Sequence, residues 1–369
     1  MTKILGIDIG GTFTDLFFLD EATGDVSISK SSTTRGRYAE GLFNAMERIS
    51  LPPSSVDIFM HGTTIVTNAL IERRGARCGM IVTEGFRDVL ELGRRERPQA
   101  YGMYGLQQPL VTRDMRLEVP ERLDAQGDVV VPLDEEAVER AGRKLLRMGA
   151  EAVTVCFLHS YANPAHERRS AEILRGLDAD WIVNASSDLL PEYYEFERFS
   201  TASVHTFVQP MVKRYVEALK GDLARSGYER DVLFVQSNGG IMSSRSAAEK
   251  PANLALSGPA AGVIAASYLA RAAGFDNVIS ADMGGTSSDV ALVPGGKPRT
   301  TEETQVDFRL PLRVSMVDVN TVGAGGGSIA RIDRGGILNV GPESAGAQPG
   351  PVAYRRGGTE PTVTDANLV

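Results

Sequence analysis

"DIGGTFTD" at residues 8–15 and "DMGGTSSD" at residues 282–289 are nearly the same eight letters written twice. Asp8 aligns with Asp282, Gly10 with Gly284, Gly11 with Gly285, Thr12 with Thr286 and Asp15 with Asp289, all at one constant offset. Each octet follows an apolar run ("KILGI", "NVISA") and precedes another ("LFFL", "VALV"), so each reads as strand, glycine turn, strand. Paired glycines let the backbone come close to a ligand and present bare amides, and the hydroxyls of Thr12, Thr14, Thr286 and Ser287 add donors. That combination cradles a phosphate. Asp8 and Asp15 beside an anion would repel it unless a cation intervened, so the motif asks for a divalent metal, most simply Mg²⁺ held partly through water. Two copies, one per domain, would face each other across a cleft and grip one polyphosphate from both sides. A plain glycine turn accounts for one such octet; two in the same strand context argue against it.

The bulk numbers fit this reading. A chain of 369 residues is long for one core and favours two domains. With 39 basic and 47 acidic residues the net charge is −8, which offers no general field for nucleic acid or an anionic membrane. Cys78 and Cys156 sit in apolar surroundings and read as reduced, buried small hydrophobes. The start lacks a secretory leader pattern, and the most apolar long window, residues 254–275, is broken by Ser257, Gly258, Pro259, Ser267 and Arg271. A cytoplasmic protein with no membrane span is expected.

Along the chain, strand and helix patterns alternate. "CGMIVT", "AVTVCFL", "WIVNA" and "DVLFVQ" read as strands, with Asp134 capping a helix that ends at Gly149 and a long helix from about Ser200 to Leu223 that Pro210 should kink. Residues 93–131 read as irregular loop with short strands. Such alternation implies an α/β sheet. The tail from 323 is glycine-rich, and "EPTVTDANLV" looks like the opening of a helix, so the chain is expected to be the front of a longer protein. Other phosphate motifs fail: no G-x-x-x-x-G-K-[ST] occurs, and "GAGGGS" lacks the third glycine of the dinucleotide fingerprint.

The paired octets resemble the phosphate loops of the actin, heat-shock chaperone and sugar-kinase superfamily. The wider set "GIDIGGTFTD", "HGTTIVTNALIERRGA", "SGPAAGV", "DMGGTSSDV", "GAGGGSIA" and "GPESAGAQPGP…GGTEPTVTDANLV" resembles the hydantoinase A/5-oxoprolinase/acetone carboxylase family over essentially the whole chain. The resemblance implies an α/β, two-lobed, actin-like (ribonuclease H-like) ATPase fold with duplicated phosphate-loop domains, divided here as 1–195 and 196–369. It implies ATP and Mg²⁺ as cofactors and a B-type hydantoinase/oxoprolinase subunit or domain as partner in a homo- or hetero-oligomer. Asp8 would be the first metal carboxylate, with Asp282 and Asp289 the second pair. Gly10, Gly11, Thr12, Gly284, Gly285 and Thr286 would hold phosphates, and Gly323, Gly325, Gly326 and Gly327 of "GAGGGS" would meet the adenosine end. Ser288 stands where threonine is commoner in the family, which keeps a hydroxyl; "PVAY" replaces "PACY", which removes a thiol.

"HGTT" at 61–64 lies between a strand and a helix start. Amides and the hydroxyls of Thr63 and Thr64 suit an oxyanion, and His61 suits a proton shuttle, with Thr67 and Asn68 behind them. The alternative is that a threonine only caps the helix and His61 is a core polar group. His159 and His166 read as loop histidines, His205 as packing, "RRERP" (94–98) as a solvated charge run, and "SGPAAG" (257–262) as a tight packing contact opening with Pro259. The weaker alternatives are a catalytic His159 at a strand's end, a phosphate clamp at 94–98 and a nucleotide over the helix start at 257–262. The leading functional expectation is an ATP-dependent hydrolase of a small cyclic amide. The competitors are ATP-dependent ketone carboxylation, a non-enzymatic ATP switch, and a sugar or acetate kinase, for which no convincing carboxylate base is seen.

Overall fold

The structure is a computed structural model and describes residues 2–10, 13–32, 38–96, 101, 109–307, 309–346 and 348–369. In chain order the elements used below are β1 (Lys3–Ile9), β2 (Phe13–Asp20), β3 (Asp25–Ser32), α1 (Tyr38–Arg48), β4 (Ile58–Thr63), α2 (Ile65–Ile71), β5 (Cys78–Thr83) and β6 (Arg116–Val119). Then come α3 (Glu135–Arg147), β7 (Ala152–Cys156), α4 (Ala165–Leu177), β8 (Ile182–Ala185), α5 (Glu195–Arg225), β9 (Val232–Val235) and β10 (Ile241–Ser243). The last are α6 (Ser257–Ala272), β11 (Val278–Met283), β12 (Ser288–Val293), β13 (Thr304–Asp307), β14 (Val319–Val322), β15 (Ser328–Ile332) and β16 (Leu338–Ser344). The architecture is mixed α/β.

The first sheet has six strands in the order β10-β9-β4-β1-β2-β3. β1, β2 and β3 form an antiparallel meander, whereas β4 runs parallel to β1 and β9 parallel to β4. Residues 232–243 therefore hydrogen-bond into the sheet that starts at Lys3. Leu5, Ile7, Ile9 and Leu16 put one face of this sheet into the core, and Asp8 and Asp15 alternate onto the other. A second sheet, β8-β7-β5-β6, is all parallel. Its central strands β5 and β7 are buried along their whole length, as strands covered on both faces must be.

The 31-residue α5 ties these two sheets together, packing on β5, β7 and β8 at its front and reaching His61 of β4 through Tyr215 further along. It runs as one helix through Pro210, from slightly before to slightly after the span expected from sequence. At the carboxyl ends of β7 and β8 the fully buried Glu167 accepts from Phe157 N–H (2.7 Å), Ser186 Oγ (2.7 Å), Ser187 N–H (2.8 Å) and Ser187 Oγ (2.8 Å), so its oxygens are satisfied by donors rather than by a cation.

The second octet opens a smaller antiparallel sheet, β11-β12-β14. One of its faces packs on α6 through Ala260, Val263, Ala291 and Val293. Ile279 and Met283 stand exposed on the other. Both cysteines are buried and free, and burial pushes both thiols up. No helix among the described residues is long and apolar enough to cross a membrane.

Candidate functional site

The two octets make the same hairpin. Gly10 N–H donates to Phe13 O at 3.0 Å, and Gly284 N–H donates to Ser287 O at 2.9 Å. The strands pair Asp8 with Asp15 in one copy and Asp282 with Asp289 in the other. A Cβ on Gly10 would stand 3.2 Å from Phe13 O, and one on Gly284 3.3 Å from Ser287 O, so both first glycines are set by close approach of the chain to itself. Gly11 and Thr12 lie outside the described residues. In the second copy, no hydrogen bond among the described residues engages the N–H groups of Gly285 and Thr286, and both residues are exposed.

Helix α6 brings the two copies together. A Cβ on Gly258 would lie 3.7 Å from Asp8 Oδ1, and one on Gly262 would lie 4.0 Å from Asp282 Oδ2. Positions four apart on a helix are separated by about 6 Å along its axis, so the carboxylates flank a single turn. Gly62 on β4 closes the third side, its Cβ position 3.2 Å from Asp8 Oδ1. Gly258 and Gly262 of "SGPAAG" thus form a side-chain-free wall under two acids from opposite ends of the chain. Asp8 is exposed to solvent, with Gly62 and Gly258 beside its carboxyl. Its carboxyl is raised above the ordinary 3.8, first by burial, then by the charges of Asp15 and Asp282, with only Lys30 opposing. Lys30 is itself held by Asp15 at 2.8 Å.

Such a pair suits a cation. Among the described residues no three His, Cys, Asp or Glu side chains cluster as a ready-made metal cage. An ion here would take few protein ligands and fill its shell with water and ligand oxygens, which is how Mg²⁺ prefers to bind. The bare wall and the unengaged amides leave room and donors for phosphate. The residues fit the group.

"GAGGGS" braces the second hairpin. Gly326 N–H donates to Gly284 O at 2.9 Å and Gly327 N–H to Gly285 O at 2.6 Å. A Cβ on Gly325 would stand 2.7 Å from Ser287 N, and one on Gly327 2.8 Å from Gly285 O. Glycine is needed at these positions because two backbones touch there. Gly323 has nothing within 4 Å of its Cβ position.

Three sequence expectations need correction. Thr14 is buried and alternates onto the core face with Leu16, opposite Asp8, so its hydroxyl is not offered to the cleft. Its counterpart Ser288 binds Ala324 O, another structural use. His61 pairs in register with Ile7 and Phe234 and faces the core, whereas Gly62 pairs with Asp8 and faces the cleft. The ring is fully buried, bonded to Tyr215 Oη and edge-on to Phe234, and burial lowers its pKa to about 4 despite the backbone of Ile7. It is a neutral core group at pH 7. Arg94 of "RRERP" is not a solvated charge: it bridges Glu197 and Glu303, each at 2.6 Å.

Thr63 is buried and exchanges hydrogen bonds with Ser257, which fastens β4 to the start of α6. Thr64 precedes α2, and its Oγ1 accepts from Asn68 Nδ2 at 3.1 Å. Both Thr64 and Asn68 line a cavity of about 540 Å³ that reaches from α2 across to Ser287 and Asp289 of the second octet. Asp289 accepts from Thr321 Oγ1 at 2.6 Å. The far wall, Thr304–Val306 and Val319–Thr321, was not foreseen from the sequence. His205 is packed as expected, its Nε2 on Glu249 O at 2.9 Å, and His166 binds the buried Glu121 at 2.9 Å.

Comparison with known proteins places the chain. The profile of the hydantoinase/oxoprolinase N-terminal region matches residues 4–177, and the hydantoinase/oxoprolinase profile matches residues 198–369. Caprolactamase subunit alpha of Pseudomonas jessenii is 39% identical over 376 residues, covering 99% of this chain and 54% of the relative. The crystal structure of ATP-dependent caprolactamase from the same organism superposes with a TM-score of 0.83 at 36% identity, over 99% of this chain and 54% of that one. The nucleotide-free structure of an acetone carboxylase, from work on ATP-dependent acetone carboxylation, superposes with a TM-score of 0.84 at 30% identity, over 100% and 54%. The fold and the paired hairpins thus define a mixed α/β protein shared with these enzymes. The chain belongs to the hydantoinase/oxoprolinase family and spans about half the length of these relatives.

Proposed function

We propose that this chain is the nucleotide-using part of an enzyme that activates a carbonyl compound with ATP, and that the compound is a small cyclic amide which the enzyme opens by hydrolysis. The observation that carries the reading is the pair of matching hairpins whose carboxylates, Asp8 and Asp282, flank one turn of α6. On this reading the six-stranded and three-stranded sheets are the centres of two actin-like lobes, drawn in sequence as 1–195 and 196–369, with β9 and β10 crossing back to the first.

Magnesium nucleotide, when bound, supplies a transferable phosphoryl group. Asp8 and Asp282, with Asp289 beside them, would hold the cation. Gly10, Gly11 and Thr12 of the first turn and Gly284, Gly285, Thr286 and Ser287 of the second would donate to phosphate oxygens. Gly323, Gly325, Gly326 and Gly327 position the second turn and border the adenosine end. Fixed amides and metal carboxylates act electrostatically, by countering charge on the transferring group. The 540 Å³ cavity next to Asp289 holds the acceptor, its carbonyl within reach of Thr64 and Asn68. Phosphorylation of the amide oxygen breaks the lactam resonance; water then adds to that carbon, the ring nitrogen departs with a proton to leave an acyl phosphate, and a second water releases phosphate and the open-chain carboxylate.

A ketone carboxylase subunit is favoured equally by the similarity to acetone carboxylase; there the same site would phosphorylate an enolate oxygen. The caprolactamase relative is a named subunit, which supports a B-type partner for this chain too. A non-enzymatic ATP switch would change partner binding with nucleotide and show no small-molecule stimulation. ATP turnover of the full chain with its partner, measured across lactams, hydantoin and acetone plus bicarbonate, separates these readings. Lactam-dependent turnover that is lost in Asp8→Asn and Asp282→Asn supports the proposal, and turnover undiminished in both variants sinks it.

A further inference from the structure

Resting on that reading, we propose that the cavity between α2 and the second octet selects an uncharged carbonyl compound and rejects one that carries a carboxylate. The cavity is polar, and no side chain among its described lining residues is basic. Thr64, Thr67 and Asn68 line it from the first lobe, and Gln305, Asn320 and Thr321 from the second. Hydroxyls and carboxamides can donate to a carbonyl oxygen and accept from a ring N–H without a charged partner. The only ionisable side chain among its described lining residues is Asp289, an acid.

A carboxylate taken out of water needs a bidentate arginine, a lysine or several converging amides; left without them, it pays a desolvation penalty. Arginines close in sequence to the lining are engaged elsewhere. Arg73 binds Asp307 at 2.6 Å, and Arg309 donates to the carbonyls of Glu91 and Leu92 at 2.8 and 2.7 Å. Lys30 across the cleft is held by Asp15. The carboxylates of Asp8, Asp282 and Asp289 outnumber the charge of the one divalent cation assigned to them, and the nucleotide adds its own negative charge, so a substrate carboxylate meets repulsion in addition to missing a side-chain partner. Apolar wall from Ile71, Leu256 and Val306 suits the methylenes of a lactam ring.

The probes are 2-pyrrolidinone and 5-oxoproline, five-membered lactams that differ by one carboxylate. Each is titrated by calorimetry into the full chain with Mg²⁺ and a non-hydrolysable ATP analogue, and each is assayed for stimulation of ATP turnover. The expected result is at least tenfold tighter binding of 2-pyrrolidinone. Asn320→Arg and Gln305→Arg, on exposed strand positions of the far wall, should each narrow that ratio at least fivefold by supplying a basic side chain. Equal or tighter binding of 5-oxoproline, binding of neither compound, or a ratio unmoved in both arginine variants overturns the inference. The expected binding order without lactam-stimulated turnover keeps the inference and removes the proposed activity. Stimulation by 5-oxoproline alone does the reverse.

Discussion

Replacing Asp8 by asparagine should make the protein more stable while stopping its ATP turnover, and the two effects have one cause. Asp8 lies near Asp282 and Asp15, and its carboxyl is raised in the folded state. Two unit charges ~7 Å apart repel by about 2.4 kcal/mol at an effective dielectric of 20 and by about 0.6 kcal/mol under water-like screening. Since both carboxylates reach solvent, a value near ~1 kcal/mol is expected, or ~2 °C in melting temperature for a protein of this size. The sign with pH follows. A carboxyl whose folded pKa exceeds its unfolded value favours the fold below about 3.8 and loses that contribution as pH rises through the folded value. The stability gap between variant and native protein should therefore be absent at the acid end and open as pH rises above 4. Melting curves from pH 3.5 to 7.5, without divalent ions, read it directly. Adding Mg²⁺ with nucleotide should raise the native melting point and leave that of Asp8→Asn almost unmoved. An Asp8→Asn protein that melts lower than native at pH 7, or that gains as much from Mg²⁺ and nucleotide, refutes the reasoning.

Other substitutions probe the same architecture. Gly62→Ala places a methyl 3.2 Å from Asp8 Oδ1 and should cut ATP turnover at least tenfold, with a stability change under ~1 kcal/mol by chemical denaturation. Gly325→Ala drives a Cβ to 2.7 Å from Ser287 N, backbone against backbone, and should destabilise the second hairpin by about 1–3 kcal/mol, visible as faster amide exchange at 284–288. His61→Phe should cost about 1–3 kcal/mol by removing the bond to Tyr215, yet leave the pH profile of turnover between 5 and 8 unchanged. Glu167→Ala strips the acceptor from four donors and should cost ~3 kcal/mol or more in equilibrium unfolding without altering nucleotide affinity.

The hairpins were legible because everything that makes them is local: an acid, two glycines and hydroxyls between apolar runs. Their equivalence in the fold, down to Gly10 on Phe13 O and Gly284 on Ser287 O, follows from that repetition. The strands at 78, 152, 182 and 232 were legible as buried apolar runs. Sequence did not say that the last of these would leave its neighbours in the chain and lie beside β4. "HGTT" shows a different gap. Reading the string as one unit put His61 in the cleft, but the two-residue period of a strand sends His61 and Gly62 to opposite faces, and register with β1 decides which face meets Asp8. The start of α6 was read first as a packing contact and second as a floor under a nucleotide. What lies against Gly258 and Gly262 could not be read, because it comes from residues 8 and 282. The cavity was the least legible of all, since its lining is drawn from separate segments between residues 64 and 321.

Calorimetric titration of Mg²⁺–nucleotide into the full chain, into Asp8→Asn and into Asp282→Asn tests most directly whether both hairpins grip one ligand. One nucleotide per chain, with affinity weakened at least tenfold by either substitution and little further by the two together, is the predicted result. Unaltered one-to-one binding in either variant would contradict it.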